Sequence, residues 1–180
     1  MSLSLPAGLL KELHDDGERV LIVPMGGVEF VAFNTKPAIG TIGLNSCSVV
    51  IIASQHGAIL AHIPPRLNLT SDDLHEGDRN VRRMMGLVKA EHDRYKPLGW
   101  FPDNETVIVC AWFQGALALE DQVQIMYESL QELGCKPMFQ TYEVPVDQSR
   151  RGQGTVLVTS LTRMANGKPT IYIQDRPMQA

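Results

Sequence analysis

Two apolar runs set three residues apart constrain this chain more than anything else in it. "SVVIIAS" (48–54) and "AILAHIP" (58–64) are aliphatic and rich in β-branched residues, and only Gln55, His56 and Gly57 separate them. Strands this close in sequence can be joined only as a tight antiparallel hairpin, because a parallel crossover needs a dozen residues or more. Side chains alternate faces along a strand, and residues opposite one another share a face. A two-residue loop at Ser54-Gln55 makes Cys47 and His62 direct partners. A loop at Gln55-His56 sets them on a diagonal of the same face, and the two registers span roughly 4.5–8 Å between Cβ atoms. A three-residue loop puts them on opposite faces. Parity therefore decides whether the hairpin brings a thiol beside an imidazole.

The rest of the chain supplies elements to pack around that hairpin. "AGLLKELHDD" (7–16) spaces its leucines as a short amphipathic helix stopped by Gly17. "RVLIVP" (19–24) and "VEFVAF" (28–33) read as strands interrupted by Met25-Gly26-Gly27, followed by a turn from Asn34 to Pro37 and an extended, glycine-broken "AIGTIGL" (38–44). After Pro65 the period changes. Residues 71–95 read as a helix with Ser71 or a following aspartate as N-cap, and Gly77 divides a short turn from the main helix. "TVIVCAWF" (106–113) is a buried strand, 119–133 is a helix ended by Gly134, and "PMFQTYEVP" (137–145) is another strand. "TVLVTSLTR" (155–163) and "PTIYIQ" (169–174) close the chain as a hairpin turning at Ala165-Asn166-Gly167. No repeat or linker interrupts the series, so one compact α+β domain is expected, with residues 1–26 as an amino-terminal extension carrying the short helix and 27–180 as the main domain.

Composition removes several functions. The chain has 180 residues, 44% of them hydrophobic and 20% charged, enough for one buried core and unlike a disordered or coiled-coil chain. Its net charge of −4 argues against a nucleic-acid partner, and Arg82-Arg83 and Arg150-Arg151 are local pairs rather than a basic stripe. No apolar run reaches the roughly 18–20 residues that cross a bilayer, so no membrane insertion is expected. The amino terminus lacks a signal-peptide pattern. Three cysteines do not make a disulfide framework, and the expected location is cytoplasmic. Asn68-Leu69-Thr70 and Asn104-Glu105-Thr106 match the glycosylation pattern but are idle in a chain that is not secreted. No zinc spacing occurs, and His75, Glu76 and Asp78 read as partners of a helix start, so neither metal nor cofactor is expected. Gly152-Gln153-Gly154 is too short a signature for a nucleotide loop.

A thiolate is a nucleophile where a thiol is not, and a neighbouring imidazolium lowers the thiol's pKa. The same histidine can protonate a departing amine, while backbone N–H groups stabilise the oxyanion. Asn45 and Ser46 beside Cys47 are small enough to admit a substrate carbonyl and are the candidate oxyanion turn, with Gly43 permitting the bend. Against this stands the commoner role of a buried cysteine as a small hydrophobe, which suits Cys110 inside its strand. Cys135, just after the helix stop, reads as a surface thiol, and His56 at the hairpin tip as solvated. His62 taken by itself reads as a hydrogen-bonded structural histidine.

The stretch "GTIGLNSCSVVIIASQHGAILAHIPP" resembles the core of the chemoreceptor glutamine deamidases, the CheD family. The matching positions are Thr41, Ser46-Cys47, Gly57-Ala58 and Ala61-His62, with Pro64-Pro65 following. Asn45 stands where the family has glycine. The Cys-to-His interval is shorter by about two residues, an even change that keeps strand parity. The order of elements from 27 to 175 follows the family in outline. The resemblance implies a β-sandwich core of mixed sheets flanked by helices, a catalytic Cys47, His62 and Thr41, and a protein substrate with an accessible glutamine. The cytotoxic necrotizing factor toxins share the Cys-His arrangement. The expected activity is a cysteine-dependent glutamine deamidase acting through a thioester, with Thr41 orienting His62. A noncatalytic CheD-like protein-binding module and a cysteine hydrolase of a small amide or ester are the alternatives.

Overall fold

A computed structural model describes residues 4–66 and 72–179. Among the described residues the chain runs α1 (Leu9–Asp15), β1 (Val20–Ile22), β2 (Val28–Ala32), β3 (Ala38–Thr41), β4 (Ser48–Ala53), β5 (Gly57–Ile63) and α2 (Glu76–Tyr95). It continues through a 3-10 turn (Lys96–Leu98), β6 (Glu105–Phe113), β7 (Ala116–Leu117), α3 (Glu120–Glu132), β8 (Pro137–Glu143), β9 (Val156–Arg163), β10 (Pro169–Ile173) and β11 (Arg176–Pro177). The strands form two sheets, ordered β1-β3-β9-β10-β11 and β2-β5-β4-β6-β7, with β8 beside β6. Both sheets are mixed, since β1 with β3 and β6 with β8 are parallel while the other pairs are antiparallel. The expected α+β sandwich of mixed sheets with flanking helices is the fold.

Burial divides the molecule into layers. Val49, Ile51, Leu60 and Val109 of one sheet meet Val158 and Ile171 of the other. The opposite face of the second sheet, through Val50, Ile52 and Ile59, packs on Val81, Met84 and Val88 of α2 and Met126 and Leu130 of α3. Leu10 of α1 covers the outer face of the first sheet with Val20 and Leu157. β4 and β5 are thus buried on both faces along their whole length. That is why their sequences are continuously apolar instead of alternating. The first 26 residues supply both α1 and β1, so this segment is built into the first sheet through the pairing of Val20 with Ala38.

The hairpin takes the second of the two parity-preserving registers. Ala53 pairs with Ala58 and Val49 with His62, leaving Gln55-His56 as the loop, closed by the Ser54 N–H donating to Gly57 O at 2.9 Å. His56 is exposed, as expected at a tip.

Other expectations need correction. Gly77 does not divide α2 but lies within its first turn, because a Cβ there would run into Pro65 O and come within 2.6 Å of Gln122 Nε2. The glycine serves close approach rather than a break. Ser71 and Asn68-Leu69-Thr70 fall outside the described residues. Within them, α2 is preceded by an Asp73 Oδ1 that accepts the His75 N–H at 2.9 Å. Cys135 is not a surface thiol: it is 6% exposed and packs into the helix-side core. β7 and β11, two residues each, are too short to show a period and were not anticipated. Among the described residues no helix is long and apolar enough to cross a membrane.

Candidate functional site

His62 sits near the end of β5 and is held from both sides. Its N–H donates to Gly27 O at 3.0 Å, and its carbonyl accepts from Gly26 N at 2.8 Å. Those two glycines belong to a tight turn closed by Gly27 N donating to Pro24 O, with Gly26 at φ 81°. A positive φ at the third turn position is what a type II turn requires and glycine supplies without strain. The Met25-Gly26-Gly27 break in the sequence is thus a clamp on the histidine's backbone.

The ring is fixed across the sandwich. Thr41, at the end of β3 in the other sheet, has its Oγ1 2.6 Å from His62 Nδ1 and 2.6 Å from Val23 O. A carbonyl can only accept, so the single hydroxyl proton goes to Val23 O. Thr41 Oγ1 must then accept from His62, which puts the ring proton on Nδ1 and leaves Nε2 bare. His62 is 1% exposed, and Nε2 is buried with no hydrogen-bond partner among the described residues. A buried acceptor without a partner is costly in a fold that satisfies nearly all others. Thr41→Val is expected to strand the Nδ1–H, lower stability by about 1–3 kcal/mol and broaden the ring between tautomers, whereas Thr41→Ser keeps both bonds. Urea unfolding and ring nitrogen shifts check this; an unaltered spectrum in Thr41→Val contradicts the assignment.

Cys47 lies just before β4 in a bend that includes Asn45 and Ser46. The pairing of Val49 with His62 sets Cys47 and His62 on the same face, the face toward the other sheet, displaced along the diagonal. No hydrogen bond joins the two side chains. Gly43, at φ 78°, turns the chain into the bend. Asn45 does not adopt the left-handed conformation; instead its Oδ1 accepts the Val146 N–H at 2.9 Å. Cys47 O accepts from Tyr142 Oη at 2.6 Å.

The electrostatics differ from the expected thiolate–imidazolium pair. Burial pushes the Cys47 thiol up to about 11, partly offset by its own backbone N–H. Burial also holds His62 down to about 4. Both groups are therefore neutral near pH 7, because an apolar sandwich interior disfavours either charge. The arrangement holds a protonated thiol and a neutral imidazole with an unpartnered Nε2 rather than a preformed ion pair.

Sequence reasoning missed three contributors: Tyr142, the Val23 carbonyl and the Val146 N–H. The two backbone groups carry no sequence signal. Tyr142 lies in a segment that reads as a strand, but nothing in the sequence aims it at Cys47. A cleft of about 890 Å³ opens beside the bend, lined by Ser46, Pro65, Phe113 and Val144 and by the starts of α2 and α3. Among the described residues Ser46 is the one candidate site residue that lines it; Cys47 is 5% exposed and does not. No group of side chains suited to a metal ion occurs among the described residues. No protein-family model matches the chain, and no curated protein matches it.

Proposed function

We propose that this chain is a CheD-like, cysteine-dependent amidohydrolase that converts a protein glutamine side chain to glutamate and ammonia. The observation that carries the reading is the setting of His62: its Nδ1 is held by Thr41 Oγ1 while its Nε2 is buried without a partner, on the face that Cys47 shares. A buried imidazole kept in one orientation with its basic nitrogen unused is what a general base needs before substrate arrives.

The chemistry follows from neutral partners. As Cys47 Sγ attacks the carboxamide carbon, its proton passes to His62 Nε2, and the oxyanion is held by backbone N–H groups of the bend. His62 returns that proton to the amide nitrogen, which leaves as ammonia, giving a thioester. Water then adds with His62 as base, and collapse releases glutamate and the thiol. The cleft lined by Ser46, the neighbour of Cys47, is where a glutamine-bearing loop would approach.

Near-complete burial of Cys47 favours a second reading, a noncatalytic binding module on the same fold. One assay separates the two. Candidate glutamine-bearing proteins are incubated with the wild type and with Cys47→Ser, and ammonia and the glutamate product are measured, with small amides and esters in parallel. Release by the wild type alone supports the hydrolase, and the substrate arm that responds names the class. Equal release from both proteins removes the hydrolase.

A further inference from the structure

We propose that β8 and the loop after it clamp the nucleophile bend, with Tyr142 and the Val146 N–H acting as positioning groups for the Cys47 thiol. This rests on the hydrolase reading and adds to it the device that aims the sulfur.

Val49 of β4 and Val109 of β6 are the last pair of their ladder, and beyond them the Ala111 carbonyl accepts from Ala118 N at 3.1 Å, so β7 takes over that edge where the chain at Cys47 leaves it. Ala111 pairs with Tyr142 of β8. Cys47, Ala111 and Tyr142 all lie in the core between the sheets. Ala111 belongs to the strand between β8 and β4, and the Tyr142 side chain crosses from β8 to donate to Cys47 O in the bend before β4. A methyl group at 111 leaves that path open, and the bond closes at 2.6 Å.

β8 lies on the sheet edge, and Tyr142 is its one fully buried residue. Four residues later the Val146 N–H donates to Asn45 Oδ1. Two long-range bonds, one to each side of Ser46, therefore hold a bend that no ladder pairing reaches. Fixing Cys47 O fixes the 47–48 peptide plane, and with it the direction in which the Cys47 side chain leaves the backbone. His62 is anchored separately, by Thr41, Val23 and the 24–27 turn. Loosening the clamp should shift the sulfur and leave the imidazole where it is.

The test is the rate of Cys47 alkylation by iodoacetamide against pH, read by peptide mass spectrometry, in the wild type, Tyr142→Phe, Asn45→Ala and Asn45→Asp. A thiol whose proton is taken by a neutral imidazole reacts at a rate that is level with pH, whereas an unassisted thiol speeds up about tenfold per pH unit. The wild type is expected to show the level region. Tyr142→Phe and Asn45→Ala are expected to lose it by tenfold or more, while the His62 ring spectrum stays as in the wild type. Asn45→Asp keeps an acceptor for Val146 and should restore it. A level region unchanged in Tyr142→Phe and Asn45→Ala overturns the clamp alone. If Tyr142→Phe does not fold, the Asn45 pair decides. A wild type with no level region overturns the clamp and the hydrolase together. A level region that depends on the clamp, without ammonia release from any glutamine protein, upholds the clamp and removes the deamidase.

Discussion

Cys47→Ala is expected to lower ammonia release from a glutamine substrate by about 10³-fold or more, because no other group at the site can form the thioester. The substitution removes one sulfur from a bend that is held by backbone and side-chain bonds elsewhere, so the fold should persist with a loss of about 1 kcal/mol. His62→Ala should cost nearly as much in rate, since a thiol pushed up to about 11 by burial is almost wholly protonated at neutral pH without a base. In the proposed chemistry the two acts are one event, the proton leaving sulfur as the carbon–sulfur bond forms. The double variant should therefore be no slower than the worse single variant. Initial rates of the three proteins, with melting temperatures as a fold control, check this. Additive losses would mean that the two residues do not work as a unit.

Acid should destabilise the protein through the same histidine. His62 is held down to about 4 in the fold, against 6.5 for the free side chain. Between those values the unfolded chain binds a proton that the folded one refuses, so stability rises with pH across the window. The contribution is fully present above about pH 6.5 and is lost as pH falls toward 4, amounting to about 3 kcal/mol. His92, 2% exposed and stacked on Phe101, is lowered by burial as well and adds a slope of the same sign. Urea unfolding at a series of pH values separates them. His62→Gln should flatten most of the slope between about pH 4.5 and 6.5, and His92→Gln a smaller part. A slope untouched by His62→Gln would mean that His62 is charged, or solvated, in the fold.

The sequence was most legible where one periodicity dominated. The hairpin could be read from run length and parity, which left two registers on the correct face; Gly57, where a Cβ would lie 2.5 Å from Val31 O, serves the close approach of β2 to β5 and does not choose between them. Gly77 shows the opposite case. A glycine near a helix start reads as a break, and only the nearness of Pro65 and Gln122, far apart in sequence, reveals that it serves packing. Cys135 was misjudged for a similar reason: a residue just past a helix stop usually faces water, but here the chain turns back under α3 into β8. Within the site, the side chains of Cys47 and His62 could be singled out from their types and spacing, and Thr41 only through the resemblance to the CheD family. Their charge states could not, because burial between two sheets is a property of the assembled layers, and it turns the expected ion pair into two neutral groups. The grip of Tyr142 on Cys47 O, across 95 positions of sequence, depends on strand order, which no local pattern encodes.

Transfer of the Cys47 proton to His62 Nε2 is the step on which the proposed chemistry depends. Its most direct measurement compares the pH dependence of Cys47 alkylation in the wild type and in His62→Gln, with buried Cys110 and Cys135 as internal references. A wild-type rate level from about pH 5 to 8 is expected, with a His62→Gln rate that climbs about tenfold per pH unit over the same range. Two superimposable climbing profiles would contradict it, leaving Cys47 and His62 as separate core residues with no shared chemistry.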